Sequence, residues 1–94
     1  MSTTRDVDHI PRLFFITLNQ KEKAFLTYSI EGNTMILEST YTPEKYRGMQ
    51  LAEKMTRNAV EYAKLKKMKI RPLCSYAVGF FQKHPEYKEL LEAP

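Results

Sequence analysis

The chain has 94 residues, of which 43% are hydrophobic and 12% aromatic, a composition that favours a folded globule over a disordered chain. Its formal charge of +4 suits a phosphate-bearing partner without choosing among nucleic acid, phosphorylated cofactors and anionic lipid. The single cysteine, Cys74, excludes an internal disulfide framework and a cysteine-cluster metal site, and no apolar run approaches the roughly 20 residues of a membrane span.

Residues 1–10 read as a flexible, polar leader without the apolar core of a signal peptide, and a single domain is expected over 11–94. With a free thiol and no span, a cytoplasmic or nuclear protein without membrane attachment is expected. Arg12–Leu18, "RLFFITL", is β-branched and aromatic and predicts a strand. After the polar turn "NQKE", residues 23–30 alternate, with Ala24, Leu26, Tyr28 and Ile30 on one side and Phe25, Thr27 and Ser29 on the other. Glu31-Gly32-Asn33 is a hairpin signal, because glycine and asparagine tolerate positive φ. "TMILESTY" then gives a third strand, closed by Thr42-Pro43.

The period changes after that. Leu51, Met55, Ala59 and Tyr62 recur at helical spacing, widened by Ala52, Val60 and Ala63, while Lys64, Lys66 and Lys67 crowd the C-terminal end where cations complement the helix dipole. "KIRPLCS" predicts a fourth strand, parallel to the third because a helix separates them, and residues 76–83 and 85–91 predict two short helices. The architecture is therefore α+β (mixed α/β): an antiparallel β-meander feeding one βαβ unit, with short C-terminal helices. The sheet should splay where its antiparallel and parallel parts meet, and open sheets bind ligands outside strand ends at such places.

The loop at that point carries Arg47-Gly48 just ahead of the long helix. Neither G-x-x-x-x-G-K-[ST] nor G-x-G-x-x-G is present. Two readings stay open: Gly48 relieves a tight turn beside a solvated Arg47, or the two residues and the bare N–H groups of the helix start form an anion site. Cys74 also has two readings. Lone cysteines are most often inert core. At a strand end, with Ser75 placed to cap the next helix, the thiol would instead meet a helix N-terminus, which favours thiolate. Tyr76, Phe80 and Phe81 are expected to pack the last helices on the sheet, with lining a pocket a second role for Tyr76. His84 reads as a helix-start or surface residue, and His9 as an unremarkable part of the leader. The lysines of "KLKKMKIR" read as a solvated helix end, since they lack interleaved aromatics and any nucleic-acid recognition motif.

The run "STYTPEKYRGMQLAEKMTRNAVEYAKLKKMKIRPLCSYAVGFFQKHPEY" resembles the small YjdJ-type branch of the GCN5-related N-acetyltransferases. In that branch a strand ending in H-T-x-V-P leads into R-G-x-G-[IL]-A and a helix, then a strand with P-x-C-[SP]-[YF] and a tail with H-P-E-[YW]. The similarity extends from about Leu13 to Leu91. It implies a minimal acetyltransferase fold that binds acetyl-CoA and passes the acetyl group to an unidentified acceptor, expected to be an amine. By resemblance, the backbone through Arg47, Gly48, Met49, Gln50, Leu51 and Ala52 holds the pyrophosphate of coenzyme A, and the pantetheine arm follows Thr40, Tyr41 and Thr42. Ser75 and Tyr76 border the same site. Cys74 lies in it, either accepting the acetyl group or standing beside the thioester. Two positions depart from the pattern: Ser39 replaces the histidine, and Gln50 replaces the second glycine. They keep a rival reading open, an acyl-CoA-binding pseudoenzyme. A basic nucleic-acid-binding module is the less favoured alternative, and a monomer or weak homodimer is expected.

Overall fold

The period-two runs build a meander because alternation lets each strand bury one face and solvate the other. In the computed structural model, which describes residues 7–92, the meander comprises β1 (Asp8–Ile10), β2 (Leu13–Thr17), β3 (Lys23–Glu31) and β4 (Thr34–Tyr41). Helix α1 (Leu51–Lys66) then returns the chain to β5 (Lys69–Pro72), which joins β4 in parallel. The sheet order is β1-β2-β3-β4-β5, and α2 (Ser75–Lys83) and a 3-10 segment, Pro85–Leu90, follow. The mixed α/β architecture is the one the sequence implies. Gly32-Asn33 is a two-residue hairpin loop, with Gly32 at φ 60° and Glu31 paired with Thr34.

One side of the sheet carries the core. Phe14, Ile16, Ala24, Leu26, Tyr28, Met35, Leu37 and Ile70 meet Leu51, Met55, Ala59, Val60 and Ala63 of α1 and Ala77, Phe80 and Phe81 of α2. Burying a side chain such as Leu51 or Met55 contributes about 1.5–3 kcal/mol. Both helices cover this same side, so the alternate set (Leu13, Phe15, Phe25, Thr27 and Ser29) is only half-buried. Helix α1 stops at Lys67, which turns into the left-handed region (φ 58°) so that the Met68 N–H returns to the Ala63 carbonyl at 2.8 Å.

The splay expected between β4 and β5 has a sharp origin. Pairing runs only from Thr34–Lys69 to Leu37–Pro72, and the N–H groups of Leu73 and Cys74 both donate to the Leu37 carbonyl (2.9 and 3.3 Å). On the other side of β4, Thr27 faces Ser39 while Tyr28 faces Leu37, so Glu38 is the extra residue of a β-bulge. Residues 39–41 therefore pair with β3 alone. The outer edge of β5 is covered instead by the chain's end. The Glu92 N–H donates to the Ile70 carbonyl (2.9 Å), and its carboxylate accepts from Arg71 Nε (2.6 Å) and the Thr34 hydroxyl (3.0 Å). Those bonds hold the Glu92 carboxyl below the usual range, Arg71 contributing most.

Three expectations need correction. Asp8–Ile10 lies within the span read as a leader yet pairs with β2, whereas residues 1–6 lie outside the described residues. Three residues with polar Asp8 and His9 are too short to show a period. His9 supplies the anchor: its ring stacks on Phe14 (centroids 4.0 Å, planes 10° apart), meets Tyr62 edge-on at 4.6 Å, and hydrogen-bonds the Tyr28 hydroxyl through Nε2. The last strand ends at Pro72 and not at residue 75, because Leu73 and Cys74 turn onto the Leu37 carbonyl. The final helical stretch is 3-10 and ends at Leu90, not 91.

Partial desolvation against these rings lowers the His9 imidazole from its ordinary value of 6.5, although the residue stays exposed on one side. A depressed folded value means the neutral ring is the stabilising form, so its contribution is complete above the unfolded pKa and is lost as pH falls through the folded one. NMR titration should place His9 below a free histidine, with amide protection across β1–β2 lost on the acid side of that titration. A His9 value at or above the ordinary one would contradict the packing account.

Candidate functional site

The loop from β4 to α1 is shaped by residues with restricted backbones. Pro43 begins a single 3-10 turn, Glu44–Tyr46, after which Arg47 is extended (φ −70°, ψ 150°). Arg47 Nε donates to the Thr42 carbonyl at 3.0 Å, closing the neck of the loop. Gly48 stands at φ +87°, where a side chain is strained although nothing crowds the position of a Cβ. Gln50 then enters the left-handed region (φ 63°, ψ 30°) and begins α1, its carbonyl accepting the Lys54 N–H at 3.1 Å. The Gln50 side chain makes no capping bond, so the first-turn amides of α1 and the positive end of its dipole open onto the space ahead.

That space is a cleft of about 280 Å³. Thr42, Arg47, Gly48, Gln50, Leu51, Ala52 and Tyr76 line it, together with Tyr46 and Glu53. Seven of the residues singled out in the sequence thus meet around one space. Met49 is half-exposed beside them, and Ser75 lines an adjoining pocket of about 250 Å³ that shares Glu53 and Tyr76 with the cleft. Thr40 is half-buried on β4 opposite Leu26. Tyr41 points to the other side of the sheet, its ring 5.3 Å from that of Phe25, and lines a different cavity. Tyr46 and Glu53 were not legible as lining residues. Glu53 stands at the third helical position, where an acidic residue complements the helix start, whereas no sequence pattern aims Tyr46 anywhere.

The second wall is the start of α2. Cys74, not Ser75, is the N-cap: its backbone is extended (φ −73°, ψ 152°) and its Sγ accepts the Ala77 N–H at 3.4 Å. Ser75 is already helical because the strand ends early, which shifts the cap by one residue. Cys74 is half-buried against the core, two residues before Tyr76. Burial pushes the Tyr76 phenol up, and the Glu53 carboxylate adds to that against the opposing Arg57 guanidinium, so the hydroxyl keeps its proton at neutral pH. Glu53 pairs with Arg57 at 2.9 Å, and Arg57 Nη1 donates to the Tyr87 hydroxyl at 3.2 Å. His84 packs on Phe80 (centroids 4.4 Å) and lines the adjoining pocket.

A family model of GCN5-related N-acetyl-transferases matches residues 13–90. The chain is a member of the GCN5-related N-acetyltransferase family. It is 34% identical to Protein NATD1 of Danio rerio, over 95% of its own length and 86% of that protein's. Its fold matches the solution NMR structure of a GCN5-like protein from Staphylococcus aureus with a TM-score of 0.75, at 20% identity, covering 99% of this chain and 93% of that one. At that identity the second match bears on the fold.

Membership of the acetyltransferase family sharpens the two departures. Ser39 lies opposite Thr27, and their hydroxyls are 2.7 Å apart on the face of the sheet away from the helices. The histidine position of the pattern therefore does not point into the helix-mouth cleft. Gln50 occupies the second-glycine position in the left-handed conformation that glycine adopts freely. The loop keeps its shape and carries the strain.

A left-handed non-glycine residue costs about 1–2 kcal/mol. Gln50→Gly should therefore stabilise the fold by about 1 kcal/mol, after allowing for the freer unfolded chain, and raise Tm by about 4–8 °C. Calorimetry on the two proteins checks this. An unchanged or lower Tm would mean that Gln50 gains compensating contacts.

Proposed function

We propose that this chain binds acetyl-CoA in the helix-mouth cleft and transfers its acetyl group to an amine. One observation carries the reading: β4 parts from β5 at Leu37, and the loop that follows leads through Gly48 at positive φ into an uncapped helix start. The residues present suit such a ligand. Uncapped first-turn amides and a helix dipole favour the pyrophosphate, and the Arg47–Ala52 backbone would hold it. The β5-facing edge of residues 39–41, without a strand partner among the described residues, offers main-chain groups to the amides of the pantetheine arm, next to Thr40 and Thr42.

When bound, acetyl-CoA supplies a thioester carbonyl, and attack by a neutral amine forms the N–C bond as the C–S bond breaks, the nitrogen's surplus proton passing to solvent. The Tyr76 hydroxyl, protonated at neutral pH and lining the cleft, is the group of this chain fitted to give a proton to the departing sulfur. Cys74 stands at the head of the same helix, where its Sγ either takes the acetyl group in a relay or flanks the thioester. The rival reading, binding without transfer, draws on Glu53: the carboxylate that lines the cleft is tied to Arg57 through Oε2 instead of standing alone as a base.

Thermal denaturation with acetyl-CoA tests binding. At 100 times its Kd the ligand should add about 2.7 kcal/mol of stability. Gly48→Val should weaken binding tenfold or more while leaving the circular dichroism spectrum unchanged, and equal affinity in that variant would remove the cleft from the reading. Transfer is tested separately with an amine acceptor. Tyr76→Phe should slow product formation by about 10²-fold at saturating acetyl-CoA. Mass spectrometry of the protein after incubation should show an acetyl adduct lost in Cys74→Ala if the thiol relays the group. Binding with neither adduct nor product across a panel of amines would favour the pseudoenzyme.

A further inference from the structure

We propose that the open face of the sheet carries a second ligand site, beside the β2–β3 turn, for a small molecule that joins a flat aromatic ring to a phosphate or carboxylate. Phe15, Phe25 and Tyr41 stand opposite one another in the registers of β2, β3 and β4, making a row of rings across three strands. Phe25 and Tyr41 lie 5.3 Å apart at 32°, and Tyr41 is 46% exposed although it sits in a strand. Cross-strand aromatic pairs stabilise sheets, so the row alone is no site. Next to it, however, a cavity of about 360 Å³ opens between Phe25, Tyr41, Pro43 and the turn residues Lys21–Lys23, a size within the range of small-molecule pockets.

The charge at this cavity is unbalanced. Its one carboxylate, Glu22, is already engaged by the Asn19 amide (2.9 Å) and by Lys45 (3.5 Å). Among the described residues, neither Lys21 nor Lys23 has a carboxylate partner, and the Lys23 ammonium rests 6.0 Å from the Phe15 ring. The exposed Tyr41 ring and the half-buried Phe25 ring, beside two lysines without carboxylate partners, fit one flat ring and one anionic group. A single-stranded nucleic acid would need the basic track to continue across the face. There the face instead presents Ser29 bonded to Glu38, and Glu31 paired with Arg71. The site is also separate from the helix-mouth cleft, because consecutive residues Tyr41 and Thr42 line different cavities.

Titration of the full chain followed by amide NMR tests the assignment, using AMP and indole-3-acetate as aromatic anions, adenosine as a ring without charge, ribose 5-phosphate as charge without a ring, and a thymidine decamer. Both aromatic anions should shift the amides of residues 21–25, each with at least tenfold higher affinity than adenosine or ribose 5-phosphate, and binding should persist when acetyl-CoA is saturating. Binding by AMP alone would identify phosphate as the anion recognised, and by indole-3-acetate alone carboxylate; either supports the site. Lys23→Glu should weaken the binding tenfold or more, and Phe25→Leu should weaken it while leaving the ring-free phosphate unaffected. Shifts confined to residues 47–52, equal affinity for ribose 5-phosphate, no response to either aromatic anion at 5 mM, or a decamer bound tenfold tighter than AMP would each overturn it.

Discussion

The carbonyl of Leu37 ends the pairing of β4 with β5, and the shape of the cleft follows from that stop. By accepting both the Leu73 and Cys74 N–H groups, it ends the ladder one residue before the Glu38 bulge interrupts the pairing of β4 with β3. Had the ladder continued, residues 39–41 would be a buried central strand with every main-chain group consumed. Instead one edge of that segment has no strand partner among the described residues, and the turn at Leu37 delivers Cys74 to the head of α2 and Tyr76 to the wall of the cleft. Sheet geometry and candidate chemistry are thus set by the same two hydrogen bonds.

The second constraint is that both helices lie on one side. A chain of 94 residues has enough apolar material for one core, and α1 and α2 spend theirs together on the face carrying Phe14, Leu26, Met35 and Leu37. The edges are then protected differently. At β5 the Leu91–Glu92 segment lies alongside Ile70, clamped by Arg71 and Thr34, so that outer edge is not left bare. At the other edge β1 is only three residues long and is held by the stacking of His9 in its aromatic nest, not by strand length. The uncovered face keeps its aromatic row because those rings stabilise the three central strands from outside, where no helix does so.

Much of this was legible in the sequence, and the misses share a cause. The β-branched run from Leu13, the alternation over residues 23–30 and the 3.6-residue spacing from Leu51 to Ala63 are local patterns, so β2 to β5, the helix and their order could be read directly. Arg47-Gly48 was likewise visible, because glycine before a helix is a backbone signal. What stayed hidden depends on contacts distant in sequence. His9 becomes structural only through Phe14, Tyr28 and Tyr62; Tyr41 leaves the cleft because register sets it against Phe25; Cys74 becomes a cap because Leu37, far upstream, ends the strand early. Glu53 and Tyr46 join the cleft only once the loop is folded over them.

Gln50 shows how these levels trade against one another. Its left-handed backbone costs about 1–2 kcal/mol, and its side chain offers no cap in return. A relaxed helix start would shift the phase of α1, yet Leu51 and Met55, one and five residues on, are buried and contribute about 1.5–3 kcal/mol each only in the present phase. The core contribution exceeds the local cost, so the strained conformation persists without glycine. The same conformation accounts for the uncapped helix mouth, since a capping side chain at position 50 would need an extended backbone in place of the left-handed one found there. The open amides of the candidate site are therefore maintained by the core beneath them as much as by the loop in front of them.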